Sequence, residues 1–272
     1  MKNALPNSSS LIISTYNRPD ALGMVLLSVS RQVLFPSEVI IADDGSDIFT
    51  KNVVEKWRQL IPCSITHVWQ PDQGFQLAKI RNRAILVASG EYIISIDGDM
   101  LLDKYFIKDH IDLARRFQFL QGPRVWINEV CTARILRDNK ENKNADMEIN
   151  FSSIRCRALS RIRSSAKFSL NAIQGCNQSF WKSDLVKVNG FDERFNAWGG
   201  EDTELCARLI NIGVKRNYIR NAAIAMHLAH PSRNSGMIQK NREILSETIR
   251  SRKSYCDDGL VKSTGVFLST AK

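Results

Sequence analysis

Asp97-Gly98-Asp99 follows directly on the apolar run Tyr92 to Ile96 (YIISI) and is the sharpest chemical signal in the chain. Two carboxylates separated by one small residue can offer oxygens to a hard divalent cation. Mg2+ or Mn2+ prefers carboxylates shared with phosphate oxygens to a closed protein cage. Such triplets also occur by chance in surface turns, but carboxylates at the end of a buried strand are costly without a cation partner. His227 and His230, in Met-His-Leu-Ala-His-Pro, can complete that shell as neutral imidazoles. The spacing also suits zinc, though without a third ligand nearby.

Trp198-Gly199-Gly200-Glu201-Asp202 is the second cluster. Paired glycines let a backbone approach a ligand closely, and a helix is expected to start just after them. Capping and dipole compensation of that helix need only one acid and no tryptophan. A flat indole beside Glu201 and Asp202 suits gripping a sugar ring and taking a proton from its hydroxyl. Asp43-Asp44-Gly45-Ser46 is weaker. It reads either as an ordinary turn or as a carboxylate accepting from a uracil N–H or ribose hydroxyls. Thr15, Tyr16 and Asn17 form a third polar cluster after an apolar run, and Arg81 is a fork donor suited to a pyrophosphate.

These residues need a scaffold that brings strand ends together. Ser10–Ser14, Glu38–Ala42, Ile65–Trp69 and Tyr92–Ile96 read as short buried strands. Between them, helical stripes run through Leu22, Val25, Leu26 and Val29, then Val53, Trp57 and Leu60, then Leu77, Ile80, Ala84 and Val87. The alternation predicts an α/β fold with one Rossmann-like, mainly parallel central sheet flanked by helices. Ligands of such sheets bind beyond the strands' carboxyl ends, where the acidic clusters fall. Further on, 104–117 reads as helix and 119–127 as strand. The basic stretch 128–169, with Arg134, Arg137, Lys140, Lys143, Arg155, Arg157, Arg161, Arg163 and Lys167, reads as an insertion: a solvated segment or a flap over an anionic ligand. Glu201–Ile212 is a helix, Ala222–Met226 a strand and 232–272 a polar tail, so that 1–231 forms a single domain.

The 272 residues carry a net charge of +10, which suits nucleic acid, anionic lipid or a phosphorylated ligand. No nucleic-acid-binding motif is present, so no nucleic-acid partner is expected. The six cysteines lack a C-x-x-C pair and read as reduced thiols. A polar N-terminus and the lack of a long apolar run predict a cytoplasmic protein, with the basic surface suited to the inner face of a membrane.

Taken together, IISTYNRPDAL, VIIADDGS, RNRAI before YIISIDGDM, GCNQSFWKSDLVKVNGFDERF and WGGEDTEL resemble family 2 glycosyltransferases of the GT-A fold. The resemblance runs from about Ser10 to Pro231, and its last two segments are similar to galactosyl- and N-acetylgalactosaminyl-transferring relatives such as chondroitin-polymerase domains. It implies an inverting hexosyltransferase that takes a UDP-sugar as donor and a saccharide or lipid-linked saccharide as acceptor, in bacterial polysaccharide or lipopolysaccharide synthesis. Thr15, Tyr16, Asn17, Asp43 or Asp44, and Arg81 would hold the nucleotide, and Asp97 with Gly98 would face ribose or metal. Asp99 with His227 or His230 would bind Mn2+ or Mg2+. Trp198, Gly199 and Gly200 would shape the sugar site, Asp202 would be the base and Glu201 would bind sugar hydroxyls. Relatives often have glycine where this chain has Ala197. A nucleotidyltransferase would show a glycine-rich loop after the first strand, where T-Y-N-R-P stands instead. A basic binding module would leave the polar clusters at three strand ends, two of them acidic, unexplained.

Overall fold

The computed structural model describes residues 5–140, 155–230 and 238–262. The first half alternates as β1 (Ser9–Thr15), α1 (Pro19–Ser30), β2 (Glu38–Asp43), α2 (Ile48–Arg58), β3 (Ser64–Trp69), α3 (Leu77–Val87) and β4 (Tyr92–Asp97). The chain continues through β5 (Met100–Leu102), α4 (Phe106–Leu113), β6 (Gln118–Gln121), β7 (Arg124–Trp126), α5 (Glu129–Lys140), α6 (Arg157–Arg163) and β8 (Ser165–Lys167). It ends with β9 (Asn177–Trp181), α7 (Lys182–Lys187), α8 (Glu201–Asn211), β10 (Lys215–Tyr218), β11 (Ala225–His227) and α9 (Gln239–Ser251).

The main sheet has the order β3-β2-β1-β4-β9-β6-β10-β8, and a second sheet has the order β5-β11-β7. Pairs β1–β2, β2–β3, β1–β4 and β6–β10 are parallel, whereas β9 runs antiparallel to both β4 and β6. The period-two alternation of strand side chains divides the apolar residues between two cores. Leu11, Ile13, Val39, Ile41, Ile94 and Ile96 face α1, α2 and α4. Ile12, Ile40, Ala42 and Ile93 face α3, α7 and α8. Covering on both faces accounts for the near-continuous apolar runs.

Several expected elements are corrected. The 119–127 strand is two strands in different sheets, because Gly122-Pro123 falls between β6 and β7 and proline cannot donate to a ladder. The helix over 104–117 is limited to α4. The 222–226 strand begins only at Ala225, since Asn221 and Ala223 lie at φ 59° and 49°, outside the extended region. Leu60 lies past the end of α2 and Val87 is the last residue of α3; both are exposed.

The 128–169 stretch is not a plain solvated insertion where it is described. It holds α5, α6 and β8, with Thr132 and Ile135 of α5 buried. Arg155 donates to both oxygens of the buried Asp109, at 3.0 and 2.7 Å, and Arg157 pairs with Asp112. Lys143 lies outside the described residues. Within 232–272, α9 packs on α8, with Asn241, Ile244 and Thr248 buried. Among the described residues no helix is long and apolar enough to cross a membrane.

Candidate active site

β1 and β4 are parallel neighbours, and their carboxyl ends meet through Gly98. Its N–H donates to Ser14 O at 2.7 Å, and an added Cβ would lie 2.9 Å from that oxygen and 3.2 Å from Thr15 Cβ. Glycine there lets the Asp97–Asp99 turn press against the end of β1. Asp97 and Asp99 then diverge to different partners.

Asp97 Oδ1 accepts from Arg81 Nη2 at 2.8 Å. Arg81 is on the buried face of α3, only 2% exposed, and not on a solvated basic face. Its Nε donates to Ser14 Oγ at 3.2 Å and its Nη1 to Glu201 Oε1 at 3.4 Å. One guanidinium therefore links the ends of β1 and β4 to the first turn of α8.

Asp99 points the other way. Its Oδ1 lies 3.4 Å from His227 Nε2, and its Oδ2 lies 3.8 Å from His230 Nε2 and 3.0 Å from Arg18 Nη1. The second sheet makes this encounter: His227 is in register with Met100 of β5 and Trp126 of β7, and Leu228 N donates to Asp99 O at 3.0 Å. The Trp126 ring packs edge-on against His227, with centroids 4.4 Å apart.

Asp99, His227 and His230 each offer a ligand atom, all within 4.8 Å of one another. Asp99 Oδ1 and His227 Nδ1 are buried with no hydrogen-bond partner. Burial, followed by the neighbouring charge of Asp97, pushes the Asp99 carboxyl up to about 6. Burial pulls His227 down to about 4, which leaves its imidazole neutral and able to ligate. Buried polar atoms without partners and a neutral imidazole beside a carboxylate fit a divalent cation.

The α8 end of the site is held by backbone that only glycine adopts cheaply. Gly199 and Gly200 sit at φ 95° and 98°. Asn241 of α9, fully buried, donates to Ala197 O at 3.0 Å and Gly199 O at 2.8 Å, bracketing the half-exposed Trp198. Sequence reading missed Asn241; it lies in a polar stretch, and its partners are in another segment. Asp202 Oδ1 accepts from Thr203 N and Oγ1, at 2.7 and 3.2 Å, while Gly175 lies against the Oδ2 side.

Glu201 is buried, and Oε2 has no partner. Burial, then the charge of Asp202, raises its carboxyl to about 7 against the pull of Arg81. The folded state thus keeps a proton that the unfolded chain releases near 4.5, so stability falls as pH rises between those values. Glu201→Gln removes this penalty. Without nucleotide or metal, it is expected to be more stable than the parent by roughly 3 kcal/mol at pH 8, with the gap closing below pH ~4.5. Urea titrations at both pH values measure it, and equal stability at pH 8 would refute the protonation argument.

The other nucleotide candidates form a second cluster, joined to the first through Thr15. Asp44 N donates to Thr15 O at 3.0 Å. Asp43 accepts from Ser46 N at 2.8 Å, and its Oδ2 lies 2.8 Å from His67 Nε2. Asp44 accepts from Gln70 Nε2 at 2.6 Å and Gln76 N at 2.9 Å, and burial raises its carboxyl. Tyr16 donates to Asp72 at 2.9 Å, and Asn17 N donates to Ser46 Oγ at 2.8 Å. Neither carboxylate of the pair stands free of protein partners.

The model of glycosyl transferase family 2 matches residues 10–168, more than half of the chain. The chain belongs to this family. A second model, the N-terminal domain of galactosyltransferase, matches residues 157–231. Chondroitin synthase of Escherichia coli is 29% identical over 265 residues, covering 85% of this glycosyltransferase chain and 36% of that protein. The chain therefore spans about a third of that relative's length. Staphylococcus aureus TarS 1-349 in complex with UDP-GlcNAc superposes with TM-score 0.63 at 18% identity, over 87% of this chain and 64% of that one. The mannosyltransferase PcManGT of Pyrobaculum calidifontis, in complex with GDP-Man and Mn2+, gives 0.59 at 16% identity, over 90% and 70%. The expected GT-A fold is the one observed.

Proposed function

We propose that this family 2 glycosyltransferase is an inverting, metal-dependent hexosyltransferase. It moves Gal, GalNAc, Glc or GlcNAc from a UDP-sugar to a hydroxyl of a saccharide, free or lipid-linked, in cell-surface polysaccharide synthesis. The observation that carries this reading is the meeting of Asp99, His227 and His230 with Asp97, Arg81, Glu201 and Asp202 around adjacent strand ends. The chondroitin synthase relative and the UDP-GlcNAc bound to TarS support the donor class.

Asp99 with His227 and His230 would hold the cation, whose charge offsets that of the leaving diphosphate. The two imidazoles favour Mn2+ over Mg2+, which seeks oxygen ligands in a near-octahedral shell. Asp202 accepts the proton of the acceptor hydroxyl as its oxygen bonds to the anomeric carbon. The bond from that carbon to the UDP oxygen breaks with its electron pair leaving on UDP. One displacement from the opposite face inverts the carbon. Asp97, Glu201 and Arg81 form a pre-paired wall that keeps two acids in place without free rotation, and Glu201 is the hydroxyl-binding member. Thr15, Tyr16, Asn17 and the Asp43-Asp44 turn shape the nucleoside end.

The test is UDP release from a panel of UDP-sugars with Mn2+ and with chelator. Turnover of one donor that chelator abolishes is expected. Absence of turnover together with absence of UDP binding by calorimetry would refute the reading and favour a basic binding module.

A further inference from the structure

Arg18 belongs to none of the roles above, yet it sits on the carboxylate that would bind metal. Local sequence sets its backbone. Pro19 opens α1 and disfavours helical backbone in the residue before it, and Arg18 lies at φ −132°, ψ 63°. Its carbonyl accepts from Leu22 N at 3.0 Å. From this anchor, Nη1 crosses 81 positions of chain to donate to Asp99 Oδ2 at 3.0 Å. The contact is largely sheltered, with the two side chains 29% and 14% exposed.

The choice of oxygen matters. Oδ2 is the atom nearest His230, whereas Oδ1 faces His227 and has no hydrogen-bond partner. The guanidinium thus takes one of the two oxygens while the rest of the ligand set stays in place. It carries a positive charge, and a dication seated on the same oxygen would be repelled by it. In return it spares a sheltered carboxylate the cost of standing unpaired.

We propose that Arg18 is a built-in competitor of the metal, one that holds Asp99 while nucleotide is absent and passes to the donor diphosphate when the metal enters. The inference rests on the metal reading above. Metal alone must displace Arg18 and leaves it unpaired. Metal arriving with a diphosphate gives the guanidinium a new anionic partner, and guanidinium–phosphate pairs are charge-assisted and often bidentate. Metal and nucleotide therefore bind as a cooperative pair, each raising the other's affinity by the same factor. The empty protein does not load stray cations that would hold the site without substrate.

The experiment is Mn2+ titration of the full chain, followed by the electron paramagnetic resonance of free Mn2+, with and without UDP. Arg18→Gln and Arg18→Ala are expected to bind Mn2+ alone roughly tenfold more tightly than the parent, a step of ~1.4 kcal/mol. UDP is expected to raise their Mn2+ affinity less than it raises the parent's. Arg18→Lys, which keeps the charge, is expected to stay close to the parent. Unchanged Mn2+ affinity in both neutral variants without nucleotide would overturn the competitor role. Failure of the parent and variants alike to bind Mn2+, even with UDP, would overturn the metal reading instead.

Discussion

Asp202→Asn is expected to lower kcat roughly 10²–10⁴-fold, the range lost when a positioned general base is removed, while UDP affinity stays within about twofold. The substitution keeps the side chain's shape and takes away its capacity to accept a proton. Asp202 is in the first turn of α8, where Oδ1 is fixed by Thr203 N and Oγ1. That anchoring orients the carboxylate without using Oδ2, and Asn can preserve it through its amide oxygen. The neighbouring Glu201 cannot take over. It is buried and tied to Arg81, whereas Asp202 is only half-buried. Single-turnover transfer measured beside UDP calorimetry separates the two effects. Near-normal turnover in the variant would show that another group takes the proton.

Asp99→Ala is expected to fail by a different route: loss of the Mn2+-dependent part of UDP-sugar binding, on the order of 10²-fold or more, as befits a direct ligand rather than the 10–100-fold of an outer-shell partner. Asp99 supplies the carboxylate of a group whose other members are two imidazoles. Without it the three-residue group has no carboxylate to set against a dication, and the basic side chain of Arg18 remains beside it. Calorimetry of UDP with and without Mn2+ reads the result directly. Persistence of the full metal effect in Asp99→Ala would move the cation to Asp97 or away from this end of the sheet. The contrast between the two variants is the informative part, since one keeps donor binding and loses chemistry while the other loses the binding on which chemistry depends.

What was legible in the sequence was local. β1, β2, β3 and β4 and the helices between them follow from apolar runs and stripes in which each residue's neighbours along the chain carry the signal. The two acidic clusters were legible for a related reason: a carboxylate pair after an apolar run is costly enough to demand an explanation wherever that run packs. Stretches whose polar residues are satisfied from far away were not legible as elements. β9 begins Asn-Gln-Ser, which does not read as a buried strand. It is one because His110 reaches Asn177 and Ser179, and Tyr92 also bonds Ser179. Likewise Arg155 and Arg157, just before and at the start of α6, belong to a basic sequence whose place is set by Asp109 and Asp112 on α4.

The candidate site divides the same way. Residue types and spacing named Asp97, Asp99, Glu201, Asp202, His227 and His230, but the company each keeps was decided by tertiary structure. Strand pairing of β11 with β5 places His227 beside Asp99. Burial of α3 against the sheet turns Arg81 inward to join Asp97 and Glu201. The pairing of Arg18 with Asp99 and the grip of Asn241 on the Trp198 loop link segments far apart in the chain. Sequence alone determined which groups could carry charge and metal, because that is a property of each side chain. Only the fold determined which charges neutralise one another, because Coulomb energy and hydrogen bonding depend on distance in space and not along the chain.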